Sequence, residues 1–181
     1  MDKLLTDTEV MKIIGGKSKL VTYPELMEFS KIDDLFGDSD KIILLYVNEM
    51  NGNSVVGHWC LLTKVKKGKR TEIEFTDPYG FMPDEQIKFY DTQWKNESGQ
   101  NRNALTKLLY DFSLNPKNSV FYNELKVQKD NENINTCGRH IGLRGHFYKV
   151  PLKKYQQIFK NLKKNGNDLD EIIVELTNKL L

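Results

Sequence analysis

Val55-Val56-Gly57-His58-Trp59-Cys60-Leu61-Leu62-Thr63-Lys64-Val65 is the stretch on which the fold turns. It is rich in β-branched and aromatic residues. Asn51-Gly52-Asn53 precedes it and Lys67-Gly68-Lys69 follows, so it reads as a strand between two tight turns. On its N-terminal side, Lys41 to Val47 is a near-continuous apolar run of strand length. On its C-terminal side, Thr71 to Thr76 alternates Ile73 and Phe75 against Glu72 and Glu74. Three strands joined by hairpin turns predict an antiparallel core to the sheet.

The flanks read differently. Residues 1–40 form a helical lead-in: Asp7 caps a helix over Thr8 to Ile14, Gly15-Gly16 stops it, and Thr22 before Tyr23-Pro24-Glu25-Leu26 marks a second start. Asp84 to Tyr90 fits a strand or a short helix. Leu105, Leu108, Leu109 and Phe112 recur at helical spacing until Asn115-Pro116, whereas Val120 to Asn123 and Leu125 to Gln128 suggest short strands. After a polar loop, Asp130 to Asn135, a buried helix is expected from Cys137. Gly142 and Gly145 leave room for another element to pack closely against it. Pro151 breaks the pattern, and residues 150–181 supply a helical pair, Leu152 to Lys164 and Asp168 to Leu181.

A chain of 181 residues fits one domain spanning 1–181. The apolar run Ile42 to Val47 is about a third of a bilayer span, and Met1-Asp2-Lys3-Leu4-Leu5 lacks the form of a secretory signal, so no membrane association is expected and an intracellular protein is. The net charge of +2 gives no argument for nucleic acid; the lysines of Lys64 to Arg70 and Lys149 to Lys164 read as solvated faces. The two cysteines, Cys60 and Cys137, read as free thiols.

With two cysteines and three histidines in the chain, few residues can supply nucleophilic chemistry. Cys137, in Asn135-Thr136-Cys137-Gly138-Arg139-His140, sits at a loop-to-helix transition, where free N–H groups and the positive end of the helix favour a thiolate. An unassisted thiol with a pKa of about 8.5 is only about 3% ionised at neutral pH. His58 is the candidate base. Asp77, opening the turn Asp77-Pro78-Tyr79-Gly80 at the end of the next strand, is positioned to accept the imidazole Nδ1–H and leave Nε2 facing the thiol. Gln128, Asn133 and Asn135 are candidate side-chain donors to an oxyanion. Cys137-x-x-His140 with His146 offers three metal-ligand types, but no second paired motif supplies a fourth, so no metal is expected and His140 and His146 read as packing or surface residues.

The order His58-Trp59, Asp77-Pro78-Tyr79-Gly80, Gln128 and Cys137-Gly138 resembles the adenain and ubiquitin-like-protease cysteine peptidases of clan CE, over about Lys41 to Tyr148. The phrase around Cys137 is most similar to capsid-maturation proteases of virophages and large DNA viruses. The resemblance implies an α+β fold, a small mixed or antiparallel sheet packed by helices with Cys137 opening a central one. It implies His58 as general base, Asp77 as orienting acid, Cys137 as nucleophile and Gln128 as oxyanion donor, the gap from Gln128 to Cys137 being a little longer than is usual. Trp59 and Gly138 are then expected at the substrate cleft. The implied activity is endoproteolysis of viral structural precursors, with an isopeptidase of ubiquitin-like modifiers as the alternative. The chemistry needs no cofactor, while relatives bring DNA or a peptide activator into view as partners. A monomer in the host cytoplasm or viral factory, and in the virion, is expected.

Overall fold

The computed structural model describes residues 5–51, 54–129 and 134–181. Its centre is a meander, β2 (Lys41–Asn51), β3 (Ser54–Lys67) and β4 (Arg70–Thr76), paired antiparallel with Leu44 opposite Cys60 and Leu61 opposite Thr76. Strands β1 (Ser18–Thr22) and β5 (Asn118–Tyr122) join the two edges, each parallel to its neighbour, and the strand order follows the chain. The fold is therefore α+β around a five-stranded mixed sheet.

Both faces of the sheet are covered, which explains why β2 is apolar from Ile42 to Val47 instead of alternating. Leu44, Tyr46, Cys60, Leu62, Ile73 and Phe75 pack with α2 (Ile32–Phe36) and with Leu105, Leu108, Leu109 and Phe112 of α4 (Ala104–Ser113). On the other face Ile43, Leu45, Trp59 and Leu61 meet α1 (Asp7–Ile14) and α5 (Cys137–His146). A short helix α3 (Thr92–Glu97) precedes α4, and α6 (Leu152–Lys164) and α7 (Leu169–Asn178) close the chain around Leu143, Phe159, Leu169 and Ile173.

Helix α5 is buried from Cys137 to Gly145. Glycine makes this possible: a Cβ on Gly142 would stand 2.8 Å from Ile13 Cγ2, and one on Gly145 2.9 Å from Ile14 Cγ1. Helix α1 thus lies directly on the backbone of α5. Arg144 fixes the far end of α5 to the sheet, its Nε and Nη2 donating to Glu74 Oε1 and Oε2 at 2.7 and 2.6 Å.

Four expectations are corrected. The cap of α1 is Thr6, in a reciprocal capping box with Glu9, so Asp7 is the first helical residue. Residues 1–40 are more than a helical lead-in, because Ser18–Thr22 forms an edge strand; its mostly polar sequence carries no strand signal, and pairing with β2 determines its conformation. Leu125 to Gln128 is not a strand, since the N–H groups of Val127 and Gln128 both bond to the Pro78 carbonyl, at 2.9 and 3.1 Å. The last helix ends at Asn178. Asp84 to Tyr90 resolves as a single 3₁₀ turn, Glu85–Phe89, and the turn expected at Asn51-Gly52-Asn53 lies partly outside the described residues.

Candidate active site

Three separate elements deliver the candidate triad. His58 lies near the start of β3 and Asp77 immediately follows β4. The hairpin register that pairs Leu61 with Thr76 brings them together, with His58 Nε2 2.9 Å from Asp77 Oδ1. Gly57 lets the chain pass this point, because a Cβ there would lie 1.8 Å from the Tyr46 carbonyl oxygen. Cys137 opens α5 and lines the same cleft as His58. All three are largely enclosed, at 5%, 1% and 6% exposure.

The carboxylate is held from several sides. Asp77 Oδ1 also accepts the Tyr79 N–H at 2.7 Å, an Asx turn within Asp-Pro-Tyr-Gly, while Cys60 Sγ donates to Oδ2 at 3.3 Å. Asn123 clamps the backbone, its Oδ1 accepting from Asp77 N at 2.8 Å and its Nδ2 donating to Asp77 O at 2.9 Å. Tyr79 stacks on the imidazole with ring centroids 4.6 Å apart. The tautomer differs from the expected one: Asp77 takes Nε2, leaving Nδ1 as the ring nitrogen available to Cys137. These contacts fix the carboxylate in place, and the imidazole meets it through Nε2.

Burial alone would lower the His58 pKa. The charge of Asp77 and the hydrogen bond to it reverse this and hold it well above the usual imidazole range. Burial pushes the Cys60 thiol up, reinforced by Asp77, so Cys60 stays a protonated donor. A histidine whose folded pKa exceeds its unfolded value of about 6.5 stabilises the fold fully below that value and loses the contribution as pH rises through the raised pKa. The loss of melting temperature caused by His58→Gln is therefore expected to be larger in mildly acidic than in alkaline buffer. An equal loss at both would contradict a charged His58–Asp77 pair.

His58 and Cys137 open onto a cleft of about 350 Å³. Tyr79, Phe81 and Phe89 form an aromatic wall; Gln86, Gln128, Ile134, Asn135 and Asn48 complete it. Asn48 stands at a β-bulge, where the register shifts between Val47 and Glu49. Gln128 is at the cleft as expected, but its Nε2 donates to Tyr79 Oη at 3.3 Å and to the Ile134 carbonyl at 3.1 Å, and its Oε1 is buried without a partner among the described residues. Asn133 lies outside the described residues. Trp59 and Gly138 do not line the cleft. Residue alternation along β3 turns Trp59 to the opposite face of the sheet from His58, where it packs with Leu45, Val10 and Ile141, and a Cβ on Gly138 would stand 3.0 Å from Val10 Cγ2.

Cys137, His140 and His146 do not converge on a metal site: His140 Nε2 bonds Asp170 Oδ1 at 3.2 Å and His146 Nδ1 bonds the Ile13 carbonyl at 3.0 Å. Ligand-type atoms of His58, Cys60 and Asp77 lie within 4.8 Å of one another. Each is already hydrogen-bonded within the group and the thiol is protonated, so the set fits a proton-holding network better than a cation site. Sequence reasoning missed Cys60, Asn123 and Asp170 as site-supporting residues. Only the spacing His58-x-Cys60, which puts both on one face of β3, signalled any of them.

Among the described residues no helix is long and apolar enough to cross a membrane. No protein-family model matches the chain. A crystal structure of selenomethionine ASFV pS273R protease superposes with a TM-score of 0.41 and 14% identity, covering 79% of this chain and 58% of that one. The chain thus spans little more than half of that protease. Uncharacterized protein V9 of Sputnik virophage is 32% identical over 154 residues, covering 83% of this chain and 82% of the relative. At that identity and coverage, the chain belongs to the same family as the Sputnik virophage V9 protein.

Proposed function

We propose that the chain is a cysteine endopeptidase that cleaves viral structural precursors, the capsid precursor above all, with a His58–Asp77–Cys137 triad. The observation that carries this is the placement of His58, bonded to a pinned carboxylate, in one cleft with the helix-opening thiol of Cys137. The virophage relative supports a viral setting, and with it a site of action in the host cytoplasm or viral factory and in the virion.

In this mechanism His58 holds the proton taken from Cys137 Sγ, and the thiolate attacks the scissile carbonyl carbon. The developing oxyanion meets the N–H groups at the start of α5, where the first-turn residues have no earlier helical carbonyl to bond. Gln128 Nε2 adds a donor by exchanging the Ile134 carbonyl for substrate. The protonated His58 then gives its proton to the amine as the C–N bond breaks, leaving a thioester. Water, deprotonated by His58, attacks the thioester and releases the acid and the free thiol. The chemistry requires no metal or cofactor, and DNA and a short peptide are candidate activators of the rate.

Incubation of the purified protein with the capsid precursor of its own virus, with and without DNA, is expected to yield discrete fragments. A SUMO conjugate should stay intact. Cleavage of the conjugate alone would identify an isopeptidase, and cleavage of neither would overturn the proposal.

A further inference from the structure

Gln128 and Cys137 both line the cleft, and the residue adjoining each of them rests on one carboxylate. Asp170, in the first turn of α7, is only 6% exposed. Its Oδ2 accepts the backbone N–H of Lys129 at 3.1 Å, and its Oδ1 accepts the Thr136 hydroxyl and His140 Nε2. Thr136 directly precedes the nucleophile, and its carbonyl starts α5 by accepting the N–H groups of Arg139 and His140, both at 2.9 Å. Lys129 directly follows Gln128. A single side chain therefore spans the two residues adjoining the proposed oxyanion donor and the nucleophile.

The charges favour the clamp. Burial would raise the Asp170 pKa, but hydrogen bonds from His140, Thr136 and the Lys129 backbone outweigh it and keep the carboxylate ionised, while burial keeps His140 neutral. The three donors thus converge on an anion, the stronger class of hydrogen bond, and the anion sits at a helix N-terminus, where it is favoured. Arg139 ties the same turn of α5 to the other end of α7, its Nη1 donating to Thr177 Oγ1 and Asn178 Oδ1, each at 2.8 Å.

We propose that Asp170 is a positioning residue for the reaction, setting the separation and orientation of Gln128 and Cys137 through Lys129 and Thr136, so that α7 is part of the machinery. The proposal rests on the peptidase function above. Release of either residue moves the nucleophile relative to its donor, and a misplacement of about 1 Å costs on the order of 100-fold in rate. A purely structural role would lower the melting temperature and leave kcat of the folded protein unchanged.

Thr136→Val removes one donor at nearly constant shape, and Thr136→Ser restores it. Below the melting temperature, Thr136→Val is expected to lower kcat on the capsid precursor by about 10- to 100-fold with KM little changed, and Thr136→Ser to return it to wild type. Alkylation of Cys137 by iodoacetamide needs no substrate and should slow in Thr136→Val and recover in Thr136→Ser. Wild-type kcat and wild-type alkylation in folded Thr136→Val would overturn the proposal. A wild-type protein inert toward the precursor would instead overturn the peptidase function, with the alkylation series still deciding the positioning role. If Thr136→Val does not fold, Asp170→Asn takes its place, since its amide sets a donor against one of the three donors and should lower both rates.

Discussion

Replacing Cys137 with alanine is expected to reduce precursor cleavage by a factor on the order of 10⁴ to 10⁶, the scale on which a nucleophile of a triad is lost, without changing the fold. Cys137 is a small member of the apolar cluster under α5 and also borders the cleft, so Cys137→Ala removes only one sulfur from that packing. His58→Ala should cost about as much, because residues that act as a unit fail together. Asp77→Asn should cost less, on the order of 10⁴-fold, since Asn123 and Tyr79 continue to hold the backbone and turn around it. A thiol-reactive probe provides the independent check: labelling should vanish in Cys137→Ala and persist in Cys60→Ala, because Cys60 is fully buried and its thiol is pushed toward the protonated form. Undiminished turnover in Cys137→Ala would remove the thiol from the mechanism.

The largest effect on stability is expected far from the cleft. Arg144 is 1% exposed, makes a two-pronged bond to Glu74, donates to the Phe147 carbonyl at 2.7 Å, and stacks its guanidinium 4.9 Å from the Tyr155 ring centroid. Arg144→Ala leaves the Glu74 carboxylate buried without its counter-charge, a change that costs about 3–5 kcal/mol. At roughly 2–4 °C per kcal/mol for a chain of this length, that amounts to a fall in Tm of about 10 °C. Glu74→Gln in the Arg144→Ala background should recover part of the loss, because the stranded charge goes with it. Denaturant unfolding of the three variants measures this directly, and a cost under about 1 kcal/mol for Arg144→Ala would show that the pair is not stabilising the packing of α5 on β4.

What the sequence made legible was whatever is encoded locally. The meander from Lys41 to Thr76 was readable because strand-length apolar stretches alternate with Gly-containing turns, and α4 because Leu105, Leu108, Leu109 and Phe112 repeat at helical spacing. Strand β1 was not, since Ser18 to Thr22 is mostly polar and owes its conformation to a partner more than twenty residues further on. Within the site, His58 and Asp77 were linked by one hairpin and so could be paired in advance. The choice of ring nitrogen could not, because it depends on contacts from Asn123 and Tyr79 that no spacing rule specifies. Trp59 misled for the opposite reason. Being adjacent to His58 in sequence puts it, by the alternation of a strand, on the other side of the sheet. Asp170 was invisible as a contributor because the residues it bonds, Lys129 and Thr136, lie more than thirty residues before it.

Helix α5 is wedged between α1, from the beginning of the chain, and α7, from its end. During synthesis the meander can zip up from neighbouring segments alone, whereas the cysteine helix cannot settle into its final bed until residues beyond 168 have emerged. In the peptidase proposed above, the Cys137 sulfur is therefore set in place as one of the last events of folding.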